Sequence, residues 1–384
     1  MFKVNAAYLN SALECAAVGN GKGFVMMVSP TMHKISETQE AQMASISSSD
    51  GDKTGRANLI IHTSDMEKDE LYWASASLKP AVSSLAKITD TIFIDSKGSY
   101  LEVSDEKKES VIRVSLLEKD TVLELPSSPK GAVLVMIEKE KFVNAIRLGG
   151  YSAEDSNIAG VDVIGFRVDV EEKQLMVVSR RSTTMCQAIA PVKDAAYQER
   201  EDASKKPEWH LINYKFIQNM LSKLTGDILQ IAFTPKFMVV RTQNAIFGSK
   251  KSEGTMAQSV IDRLSDKGYD YTGTVSKKEL LLGMEISVVG VDEKIVTLET
   301  NENGILRVSS KGGSNKSNVS QKAHEGKMEA KSFYVDVLKS GLSGCSDTLH
   351  YFGKQNPKYI VFDGEDAGVS YVSIIAPVEA QKTK

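Results

Sequence analysis

The chain offers few groupings of side chains that could do chemistry. Gly19-Asn20-Gly21-Lys22-Gly23 is its densest glycine cluster. A glycine-rich loop that opens a helix can cradle phosphate with its backbone N–H groups. This one follows a helical pattern instead, and no Lys-Ser/Thr closes it, so it reads as a helix C-cap and turn. Asp52-Lys53-Thr54-Gly55 has the form of a phospho-aspartate motif, but Arg56 follows it in a polar stretch. Ser84-Leu85-Ala86-Lys87 fits the S-x-x-K spacing of an acylating serine, without the partner motifs that chemistry requires. His33, His62, His210, His324 and His350 stand apart from one another, in no metal-ligand spacing. The carboxylates Glu106/Glu109 and Asp363/Glu365/Asp366 fall in charged turns, where solvated faces are the rule. Cys15, Cys186 and Cys345 are too dispersed for a zinc site or a disulfide scaffold and suit a reducing cytosol. The expectation is a cytoplasmic binding or scaffold protein, not an enzyme, with no metal and no cofactor.

The elements that would position a binding surface recur along the chain. Apolar residues at helical spacing predict six helices, Ala7–Ala17, Leu78–Ile88, Glu140–Gly149, Tyr214–Leu224, Lys277–Ser287 and Lys331–Leu342. Pro80 falls in the first turn of its helix, where a missing N–H does no harm. Alternating or apolar runs predict strands, among them Thr91–Asp95 turning at Ser96-Lys97-Gly98 into Tyr100–Ser104. Further strands are predicted at Leu175–Ser179, Ile228–Phe233, Ile295–Thr300, Tyr359–Asp363 and Val369–Ile375. Residues 36–58, 193–208 and 309–327 are polar or charged and read as linkers or long loops.

A length of 384 residues permits two or three domains. The helices fall two to each third, and breaks at Pro126–Pro129 and near Gly254 suggest domains at 1–128, 129–255 and 256–384. The fold class expected is α+β, with two helices packed on antiparallel sheets in each domain. With 47 basic and 50 acidic residues the net charge is −3, which excludes a uniformly basic DNA coat but not a local basic patch.

Basic residues follow the helices. Lys79 and Lys87, Lys215 and Lys223, and Lys331 and Lys339 are each eight apart, a little over two turns, which places both members of a pair on one face. Arg147 and Lys277 lie in other helices, and Lys22 follows the first. Such faces attract phosphates without reading bases. Lysines also decorate any solvent-facing helix, so the pattern alone leaves both readings open.

Several stretches, in order along the whole chain, resemble the bacterial DNA polymerase III β subunit, the sliding clamp. They are MFKVNAAYLNSALECAAV at the start, LMVVSRRSTTMCQAIAPV at 175–192, MVVRTQNAIFGSKKSEG at 238–254 and SYVSIIAPV near the end. One departure marks a divergent member. Where the family has an Asp-x-His-Arg-Leu turn, this chain has Arg181-Ser182-Thr183-Thr184-Met185.

The resemblance implies three tandem clamp domains and a head-to-tail homodimeric ring around duplex DNA. In that ring Lys22, Lys79, Lys87, Arg147, Lys215, Lys223, Lys277 and Lys339 face the channel. It also implies a pocket for short linear motifs of the replicative polymerase and the clamp loader, formed by Arg180, Thr184, Met185, Leu264, Ile374, Ile375, Pro377 and Val378. Val111, Ile112 and Val114 on one side, and Val288 and Val289 on the other, are the implied dimer interface. The alternative is a scaffold of clamp-like fold that binds partners without encircling DNA.

Overall fold

The computed structural model describes residues 1–34, 36–63, 66–118, 131–154, 160–181, 183–198, 208–254, 256, 268–301, 303–355 and 359–378. Among them are six α-helices: α1 (Ala6–Ala16), α2 (Leu78–Leu85), α3 (Lys139–Gly149), α4 (Tyr214–Leu221), α5 (Lys277–Ser287) and α6 (Val335–Ser343). None is long and apolar enough to cross a membrane. The rest is antiparallel sheet, in assemblies of 13, nine and four strands. The fold is α+β, as expected.

The chain divides into two compact units. Unit 1 comprises Met1–Lys139, Ala196–Ala203 and Phe216–Lys251; unit 2 comprises Glu140–Ala195, Ser204–Lys215 and Ser252–Lys384. The middle third contributes to both. Strand pairing between thirds is the physical reason. In unit 1 the strand Ala245–Lys250 pairs with Lys53–Thr63, and in unit 2 Thr184–Pro191 pairs with Val369–Ile375. Each pairing extends one sheet through residues from two thirds.

Local chemistry explains the helix starts. The Asn5 side chain accepts from Tyr8 N–H at 3.1 Å at the head of α1, and Ser276 does the same for Glu279 at α5. Each helix buries one stripe. In unit 1, α1 buries Leu9, Ala12, Leu13 and Ala16, while Phe216, Ile217 and Met220 of α4 are buried. In unit 2, Phe142 of α3 stacks on Phe166, ring centroids 6.3 Å apart. The α1 helix lies so close to the sheet that a Cβ on Gly55 would meet the Cys15 carbonyl oxygen at 2.4 Å. The Gly19–Gly23 segment is a turn: a short 3-10 helix, Ala17–Gly19, ends on Asn20 in the left-handed region at φ 55°.

Three expectations need correction. Residues 36–58 are not a linker, because the strands Glu40–Ser49 and Lys53–Thr63 flank the Asp50-Gly51 turn. Their inward positions include Ser45, Ser48 and Thr54, whose polarity hid the alternation. Residues 309–327 hold the strands Lys316–Val319 and Gln321–Glu325. Both expose most of their side chains, and backbone ladders rather than burial hold them. The sixth helix begins at Val335, not Lys331. Lys331–Tyr334 is a strand paired with Ile295–Thr300. The Pro126–Pro129 break and most of 193–208 lie outside the described residues.

Candidate nucleic-acid interface and apolar groove

The helix-borne basic residues are less free than their spacing suggests. In unit 1, α4 ends at Leu221, so Lys223 lies past it, and its Nζ donates to Glu14 Oε2 of α1 at 2.6 Å. That bond, reinforced by Lys79, holds the Glu14 carboxyl below its ordinary value. Lys87 likewise lies beyond α2. Lys87 and Lys22 are exposed, with no side-chain partner among the described residues.

In unit 2 Arg147 bonds Asp366, donates to the Gly344 carbonyl at 2.9 Å, and donates to Asn144 at 3.1 Å. The Lys277 ammonium donates to the Ser343 and Cys345 carbonyls at 3.2 and 2.7 Å, at the C-terminal end of α6, where a cation suits the helix dipole. Lys339 pairs with Glu285 at 2.8 Å. Lys215 is exposed. Lys331, expected to share a helix face with Lys339, is 3% exposed, donates to the Lys354 carbonyl at 2.5 Å and sits over the Tyr271 ring. Of the eight basic candidates, Arg147, Lys223, Lys277 and Lys339 therefore already meet protein oxygens. The acids that meet them, Glu14, Glu285 and Asp366, were the part of the pattern the lysine count left out.

The second candidate site is an apolar cluster on one face of the nine-stranded sheet in unit 2, with Val361 and Ile374 buried and Met185 and Phe352 half-buried. Strand pairing sets Met185 opposite Ile374, Ile374 opposite Val361, and Val361 opposite Phe352. Alternation keeps this row on a single face. Val163, Val178, Leu211, Met256 and Tyr359 belong to the same buried cluster, and Met176, Trp209 and Val372 pack against it half-buried. The next row in register, Thr184–Ile375–Ile360, points the other way. Thr184 and Ile375 are buried there, and Thr184 Oγ1 accepts from Ser152 at 3.0 Å.

Of the implied pocket residues, Met185 and Ile374 share the cluster. Thr184 and Ile375 form the layer beneath. Pro377 and Val378 are half-buried in the segment that leaves the strand, where Ala376 N–H donates to the Thr183 carbonyl. Arg180 leans on the Gly160 carbonyl at 3.4 Å. Leu264 lies outside the described residues. Val178, Val361, Phe352 and Trp209 went unnamed as site residues in the sequence, and the unbroken apolar run Ile360-Val361-Phe362 gives no sign of which face Val361 takes.

Edges are the third feature. Val111–Ser115 ends the 13-stranded sheet of unit 1. Val111 is 44% exposed and Ile112 half-buried, whereas Val114 is wholly buried against the core and presents no side chain outward. In unit 2, Lys316–Val319 ends the four-stranded sheet. Val288 caps α5 and Val289 follows it, so neither belongs to an edge strand. Leu282, Ile286 and Val289 form an exposed apolar stripe along α5.

The chain matches no protein-family model and no curated protein by sequence. Solved structures do match. The DNA polymerase sliding clamp of Bacillus subtilis superposes with a TM-score of 0.78 at 14% identity, covering 99% of both chains. The DNA polymerase III β subunit of Thermotoga maritima gives 0.76 at 13% identity, covering 99% of this chain and all of that one. A DNA polymerase III β subunit from Eubacterium rectale gives 0.78 at 15%, covering 99% of both. Over nearly its whole length, then, the chain has the fold of the bacterial DNA polymerase III β subunits, the sliding clamps.

Proposed function

We propose that this protein is a DNA sliding clamp, a non-catalytic processivity factor of the cytoplasm. It closes as a head-to-tail homodimer around duplex DNA and tethers the replicative polymerase and the clamp loader. The observation that carries the reading is the match of the clamp fold to 99% of the chain. Domains at 1–128, 129–255 and 256–384 are part of the same proposal.

A closed ring holds DNA topologically, so its contacts with phosphate need not be strong and must not be sticky. Basic residues that already share their charge with Glu14, Glu285 and Asp366 suit that requirement. They keep the potential positive and leave weak, salt-sensitive, water-bridged contacts. Lys22 and Lys87, exposed and without a side-chain partner among the described residues, supply the rest. Partners dock by seating apolar side chains of a short motif against Met185, Ile374, Val361 and Phe352, with the arginines of the 180–181 segment at the rim. The ring closes by pairing the Val111–Ser115 edge with Lys316–Val319 of a second copy. The stripe Leu282–Ile286–Val289 meets Val111 and Ile112, which covers apolar surface that a monomer leaves wet.

Sedimentation equilibrium tests the assembly. A species at twice 41.9 kDa is expected at micromolar concentration. A monomer there contradicts the ring.

A further inference from the structure

Unit 1 holds a cavity of about 500 Å³ that the clamp reading leaves without a role. It lies beside α1, and its walls include Tyr8, Met43, Asn58, Leu59, Gln243 and Asn244. No Asp, Glu, Lys or Arg lines it, so it suits neither a bare phosphate nor a metal ion. Its chemistry is a neutral one: amides around an apolar floor, with a phenol at the rim.

The amide side chains of Asn58, Gln243 and Asn244 are exposed at the mouth of this cavity and make no hydrogen bond among the described residues, which leaves them open to solvent or to a ligand. Their backbones, in contrast, are fixed. Asn58 N–H donates to the Asn244 carbonyl at 3.0 Å. Thr242 Oγ1 accepts from Ala245 N–H at 3.0 Å and lies 3.2 Å from Thr225 Oγ1, which pins the turn that carries Gln243 and Asn244. Tyr8 stands on α1 in the cavity lining with 65% of its surface exposed, so its ring is accessible.

A carboxamide presents a donor and an acceptor side by side and pairs with the edge of a nucleobase, and an aromatic ring stacks on its face. The volume falls within the range of small-molecule sites, roughly 300–1,000 Å³. Close by on α1, Glu14 is flanked by Lys223 and Lys79. These ammonium groups give the backbone of an incoming strand its cationic partners. We propose that this cavity receives an unpaired base of single-stranded DNA, stacked on Tyr8 and held at its edge by Asn58, Gln243 and Asn244. The site does not depend on ring closure, and it gives the protein a hold on unpaired DNA distinct from sequence-blind contact with a duplex.

The test is fluorescence anisotropy on the full chain with a labelled oligo(dA) dodecamer and a dodecamer of the same charge built from abasic residues. The base-bearing strand is expected to bind at least about fivefold tighter, the low end for one stacked base. Tyr8→Ala, and separately Asn58→Ala with Gln243→Ala, are expected to abolish the difference at unchanged melting temperature. Tyr8→Phe, which keeps the ring, is expected to retain it. Equal affinity for the two dodecamers, or a preference that survives either alanine variant, overturns the proposal. Competition by free dAMP at concentrations as low as the dodecamer overturns the assignment to a strand. Because no loading step enters the assay, a failed sliding test leaves this result standing, and the reverse.

Discussion

Lys223 shows how one residue can be counted twice. By spacing it is a phosphate contact; by structure it is the partner of Glu14. The bond depresses the Glu14 pKa, so the pair's stabilisation is present above the ordinary carboxylate pKa and is lost as pH falls through the lowered value. Both side chains are partly exposed, which keeps that contribution small. Lys223→Met is expected to raise the Glu14 pKa toward its ordinary value in a carboxyl-carbon NMR titration; an unmoved titration removes Lys223 as the cause. Glu14→Gln releases Lys223 and is expected to strengthen duplex binding, steepening the slope of log K against log salt by at most about one. The three thiols make a second prediction at this scale. Burial pushes Cys15 and Cys186 up and Cys345 up to about 12. A thiol reagent at neutral pH is expected to leave all three unmodified in the folded chain and to modify all three after denaturation. Rapid labelling of the folded protein contradicts their burial.

At the scale of elements, two surfaces carry the account. The apolar cluster rests on a row of side chains set by strand register, so Met185→Ala or Ile374→Ala is expected to weaken capture of short apolar peptides about tenfold or more, by isothermal titration. Thr184 and Ile375 lie in the buried layer beneath, so Ile375→Ala is expected to lower stability by about 2–5 kcal/mol in chemical denaturation. The α5 stripe gives the other test: Leu282→Asp with Ile286→Asp is expected to shift the sedimenting species to a monomer. These elements were unevenly legible in the sequence. Strands with apolar alternation, such as Ile228–Phe233 and Val369–Ile375, read directly because one face is buried. Glu40–Ser49 did not, because serine fills inward positions under a close-packed helix. Gln321–Glu325 did not, because its place is set by a partner strand far along the chain. Lys331–Tyr334 read as helix because the helical pattern of Val335–Ser343 extends smoothly backward across it. In the candidate site, Met185 and Ile374 were legible through the family resemblance. The face each residue points to, which separates Ile374 from Ile375, needed the register.

At the scale of the molecule, the account is that a clamp fold makes a ring whose hold on DNA is topological. The two compact units arise because in each of them a sheet runs through residues of two thirds of the chain. Arg147, Lys223, Lys277 and Lys339, all expected channel cations, are already paired, which argues against tight static binding and for mobility along a duplex. The direct measurement is retention of the loaded protein on circular plasmid and on the same plasmid cut once, at moderate salt. The account predicts persistence on the circle and rapid loss from the linear form through its ends. Equal loss from both, or equal retention on both, contradicts it.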